Sequence, residues 1–88
     1  MIEIFEKKLD ILNPEILNIV NQSDQHIGHS GYSNGNSHFE IFIVSSQFNN
    51  LSKVKRHKLI YNVLKYELET QIHALSIKAL TPLEYNKL

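Results

Sequence analysis

His38-Phe39-Glu40-Ile41-Phe42-Ile43-Val44-Ser45, HFEIFIVS, is the stretch that decides the fold. In an extended chain successive side chains point to opposite faces, so Phe39, Ile41 and Ile43 share one face. His38, Glu40, Phe42 and Val44 take the other, which turns apolar towards its end. A strand with apolar residues on both faces predicts a central position in a sheet, covered on at least one side.

Working upstream, the branched run Ile16 to Val20 predicts a first strand. Between the two strands lies NQSDQHIGHSGYSNGNS, residues 21–37, which holds all three glycines and almost no apolar side chains. It predicts a long loop, and strand, loop and strand together make a hairpin with a wide mouth. Residues 2–12 place Ile2, Phe5, Leu9 and Leu12 at helical spacing, and Pro14 ends that helix by pushing its predecessor out of the helical region.

Working downstream, Ser52 predicts an N-cap for a helix running through KVKRHKLIYNVLKYELE, residues 53–69. Its expected buried stripe is Val54, Leu64 and Leu68, with Ile60 and Tyr61 alongside. Lys53, Lys55, Arg56 and Lys58 crowd the first turns, where the helix dipole favours acids. Such a cationic end suits contact with an anionic partner as well as solubility. IHALSIKAL, residues 72–80, reads as a third strand. Thr81-Pro82-Leu83-Glu84 then supplies a threonine cap, a proline at the first helical position and a glutamate three after the cap. The order is αββαβα, an α+β class with a three-stranded sheet backed by helices, read as a single domain over residues 1–88.

With nine basic and nine acidic residues the net charge is zero, so no global field draws in nucleic acid. No apolar run approaches the ~20 residues that span a bilayer. The opening MIEIFEKKLD mixes acids and bases, unlike a signal or transit peptide, so a cytoplasmic protein, monomeric when free, is expected. Cysteine is absent, which removes disulfides, thiolate nucleophiles and sulfur-rich metal sites made by this chain by itself. Five histidines are then the main chemical resource. No phosphate loop, paired carboxylates or activated nucleophile predicts an enzyme: Ser37 and His38 are adjacent and so face opposite ways on a strand.

HFEIFIVSSQF, RHKLIYNVL and ELETQIHALSIKALTP together resemble the BolA-like family along most of the chain. The resemblance implies a KH-like, class II αββαβα fold. It also implies a monothiol glutaredoxin as partner, sharing a glutathione-supported [2Fe–2S] cluster with glutathione supplied by that partner, and transcriptional regulation through DNA in some members. The histidine of the family's His-Ala-Leu motif is a cluster ligand and maps to His73. The second ligand is a histidine or cysteine in the hairpin loop. Counting from NQS gives His26, and counting back from SHF gives His29; His26 is preferred because loop tips tolerate insertion. Asn21 and Gln22 stand where the family often has acids, and Asn50 where a glycine is common, a site asparagine can fill in the left-handed conformation.

The chemistry agrees with a shared site. A [2Fe–2S] centre accepts two histidines on one iron while thiolates hold the other. A chain without cysteine offers the imidazoles only, so the thiolates must come from the partner. His38 and His57 read as structural, and Lys53, Lys55, Arg56, His57 and Lys58 as the contact for glutathione, glutaredoxin or nucleic acid.

Overall fold

The computed structural model describes residues 2–22 and 38–88. Helix α1, Ile2–Leu9, runs into a 3₁₀ turn at Asp10–Leu12, and strand β1 follows at Ile16–Asn21. Strand β2 is His38–Val44; then come a 3₁₀ turn at Ser46–Phe48, helices α2 (Lys53–Val63) and α3 (Lys65–Thr70), strand β3 (Ala74–Leu80) and helix α4 (Pro82–Asn86). The sheet order is β1-β2-β3, so β2 is central, as its two apolar faces require. β1 pairs with β2 antiparallel and β3 pairs with β2 parallel. No helix among the described residues is long and apolar enough to cross a membrane.

The core lies between one sheet face and the helices. Phe39, Ile41 and Ile43 are fully buried there, packed with Phe5 and Leu9 of α1 and with Ile60 and Leu64. Phe5 meets Phe39 edge-on, ring centroids 5.0 Å apart, the geometry favoured by the ring quadrupoles. Ser52 caps α2 by accepting from the Lys55 amide, and Thr81 and Glu84 form a complete capping box on α4. Asn50 has φ 65°, confirming the left-handed turn expected where a glycine is common.

Three expectations change. The helix over 53–69 is two helices that break at Leu64, whose φ −103° and ψ 19° depart from helical values. No proline or glycine marks the bend, and hydrogen bonds from Leu64 to Ile60 and from Leu68 to Leu64 carry across it. Secondly, Val54 is 64% exposed and Tyr61 41%, so neither belongs to the buried stripe. The buried positions are Arg56, Ile60, Leu64 and Glu67, a stripe of the same helical spacing with a charge at each end. An apolarity rule misses it because both charges find partners from other elements. Thirdly, β3 begins at Ala74: Ile72 is buried ahead of the strand and His73 sits in the bend between them.

Candidate metal centre

The site is built by strand direction. Because β1 runs against β2 and β3 runs with it, the end of β1 and the starts of β2 and β3 meet at one edge of the sheet. There the Gln22 amide donates to the His38 carbonyl at 2.8 Å, and the Gln22 side-chain amide donates to the Glu40 carboxylate at 2.7 Å. His38 lies opposite Ala74 in the parallel register, and the residue before Ala74 is His73. Residues 23–37 therefore leave and rejoin the sheet at the end that carries His73.

His73 is exposed, while the residues that hold it are not. Ile72 is buried, and its amide and that of Gln71 both donate to the Glu67 carbonyl, each at 2.8 Å. The Glu67 side chain is itself buried and accepts from Lys8 Nζ at 2.6 Å, tying α3 to α1. An imidazole presented to solvent from a fixed backbone suits a ligand shared with a second protein.

His26 and His29 lie outside the described residues. Their attachment is nevertheless set by the chain. β1 and β3 are two strand spacings apart, about 10 Å. His26 follows Gln22 by four residues, and four residues reach at most about 14 Å. His29, seven residues from Gln22, has a longer reach, so chain length permits either loop histidine to approach His73. Among the described residues no three His, Asp or Glu side chains cluster closely enough to hold a metal ion. The donor set here is imidazole without thiolate, which fits one iron of a [2Fe–2S] centre whose sulfur ligands come from another chain.

The basic run behaves differently. Arg56 is only 6% exposed. Its Nε donates to the Leu51 carbonyl at 3.0 Å, and one terminal nitrogen donates to the Ala79 carbonyl at 3.0 Å. The guanidinium also makes a bidentate pair with Glu84, at 2.7 and 3.2 Å. The Arg56 hydrogen bonds, joined by a backbone bond from Thr81, hold the Glu84 carboxyl far below its usual range, at about 2. Arg56 thus ties the start of α2 to the end of β3 and to α4. Lys53, Lys55 and Lys58 are exposed, and half-buried His57 meets Tyr61 with ring centroids 6.4 Å apart.

Ala79 is six residues along β3 from His73, about 20 Å of strand. The cationic start of α2 therefore stands at the opposite end of the sheet from the histidine. The structure does not bring the two sets of expected contact residues together.

A family model described as BolA-like protein matches residues 9–84. The chain belongs to the BolA-like family. It is similar to an uncharacterized protein encoded 5′ of cobS in Sinorhizobium sp., 43% identical over 83 residues, covering 91% of this chain and 89% of that one. It is also similar to the DNA-binding transcriptional regulator BolA of Vibrio cholerae, 39% identical over 98% of this chain and 79% of the relative. Among solved structures, the BolA domain of SufE1 from Arabidopsis thaliana superposes with a TM-score of 0.80 at 46% identity, covering 91% of this chain and 90% of that domain. This BolA-like chain spans 23% of the length of SufE-like protein 1 and 51% of chloroplastic BOLA1, both from A. thaliana. Those two are named for chloroplasts or mitochondria, so the family does not fix a compartment.

Proposed function

We propose that this BolA-like protein is a non-enzymatic iron–sulfur adaptor. It pairs with a monothiol glutaredoxin and contributes imidazole ligands, His73 with His26 or His29, to a [2Fe–2S] cluster whose thiolates and glutathione come from the partner. When bound, the cluster supplies a transferable iron–sulfur unit. What this chain supplies is imidazole, with His73 carried beside the buried Ile72, whose amide is bonded to the Glu67 carbonyl. The observation that carries the reading is the exposed His73 at the sheet end between Gln22 and His38, the residues that flank the segment carrying His26 and His29, in a chain without cysteine. Co-expression with a monothiol glutaredoxin is expected to give a red-brown heterodimer with a Rieske-like visible spectrum; a colourless mixture of unassociated proteins would reject it.

A second reading has its own support. Residues 53–65 hold five of the nine basic residues and none of the nine acids. With Arg56 engaged by Glu84, Lys53, Lys55 and Lys58 remain exposed at that end. One relative is named a DNA-binding regulator. Three phosphate contacts would give a slope of log K against log salt of about −2.7, so binding would be weak and easily screened. A flat salt response, or no shift of duplex DNA at low salt, would discard this role. Because the lysines stand away from His73, the two roles do not compete for surface.

A further inference from the structure

Glu67 is a charged residue in an expensive place. Its side chain is 5% exposed, and Oε2 is paired with Lys8 Nζ at 2.6 Å. Oε1 is buried without a hydrogen-bond partner among the described residues. Burying an ion pair carries a desolvation penalty, and apolar residues of equal volume often serve stability as well or better. A bare stability role therefore accounts poorly for a half-satisfied carboxylate at this position.

Its location suggests another role. The same residue's carbonyl accepts the amides of both Gln71 and Ile72, the two residues ahead of His73. A five-residue step from Ile72 back to Glu67 is a wide helix-terminal turn. The side chain meanwhile anchors α3 to Lys8 of α1, whose ammonium also lies 5.8 Å from the Tyr66 ring centroid. α1 is itself locked into the core through Phe5 and Leu9. A continuous path runs from the core through Lys8 and Glu67 to the bend that presents His73.

We infer that the Lys8–Glu67 pair is a positioning device: it fixes the bend before β3 and so aims the His73 imidazole. The inference rests on His73 being a ligand, but its mechanical half can be measured in the free protein.

The test replaces the pair by apolar side chains of similar length, Lys8→Met with Glu67→Met. Melting is expected to be unchanged or raised. Amide hydrogen exchange at Gln71 and Ile72 is expected to quicken about tenfold while core amides such as Ile41 hold their rates. In the glutaredoxin complex, cluster loss is expected to quicken on the order of tenfold, the usual scale for residues that orient a ligand. Unchanged exchange at Gln71 and Ile72, or an equal acceleration of every amide, overturns the inference. Should the double variant fail to fold, Glu67→Met by itself decides by the same exchange criterion, since it removes the contact while the Lys8 ammonium, 38% exposed, rehydrates. If His73→Ala leaves the cluster untouched, the adaptor reading fails, whereas the exchange data still decide whether the pair fixes the bend.

Discussion

Replacing Arg56 by alanine should be among the most destabilising changes at any charged position of the chain. The substitution removes one buried hydrogen bond to the Ala79 carbonyl and a part-buried one to the Leu51 carbonyl. The first acceptor is left unpaired in the interior, at about 1–3 kcal/mol; the second regains water, so its loss is nearer about 1 kcal/mol. Two or three buried methylenes of the stem add about 2 kcal/mol. The ion pair is left out of the sum, because the Glu84 side chain is 42% exposed and rehydrates when released. The total is about 4–6 kcal/mol, against about 5–15 kcal/mol for a whole domain. At about 4–8 °C for each kcal/mol in a chain of this size, the midpoint should fall by roughly 15–50 °C. Urea denaturation followed by circular dichroism measures the loss, with Lys55→Ala as the exposed control on the same helix. A loss below about 1 kcal/mol, within the range of an ordinary surface substitution, would refute the assignment of Arg56 to the interior tie.

Three further outcomes follow from the same structure. The Glu84 carboxyl, held at about 2 against an unfolded value of 4.5, favours the folded state fully above the unfolded value and loses that contribution as pH falls through 2. Acid titration of Glu84→Gln should therefore lack the part of the wild-type stability decline that falls between those two pH values; identical acid profiles would contradict it. Phe39→Ala removes a fully buried ring from the edge-on pair with Phe5 and should cost about 3–5 kcal/mol by chemical denaturation. In the glutaredoxin complex, cluster loss should be faster at pH 5 than at pH 8, because a protonated imidazole cannot ligate; equal rates would count against histidine ligands.

Much of the architecture is written locally. HFEIFIVS shows its core face by alternation, Ser52 shows the start of α2, and Thr81 to Glu84 show a capping box that the structure completes. The misreadings share one cause. Arg56 resembles a solvent-facing member of a basic cluster, and Val54 a buried one, when charge and apolarity are followed along one helix. What places Arg56 inside is a carbonyl 23 residues away and a carboxylate 28 away, neither of which leaves a local mark. Glu67 escaped for the same reason, since its partner Lys8 is 59 positions distant. The spacing 56-60-64-67 carried a signal, for a charged residue at each end of a buried stripe asks for a partner elsewhere. His73 was marked by resemblance to a family motif, but its nearness to the hairpin mouth depended on β3 joining β2 in parallel, which alternation within a strand does not encode.

The central claim is that His73 and a loop histidine supply imidazole to an iron centre completed by another protein. Its most direct test is the visible and electron paramagnetic resonance spectrum of the glutaredoxin complex with His26, His29 and His73 replaced by alanine in turn. The account predicts that His73→Ala and one of the two loop variants lose the Rieske-like signature, while the other loop variant keeps it. A His73→Ala complex with the wild-type spectrum would contradict the account.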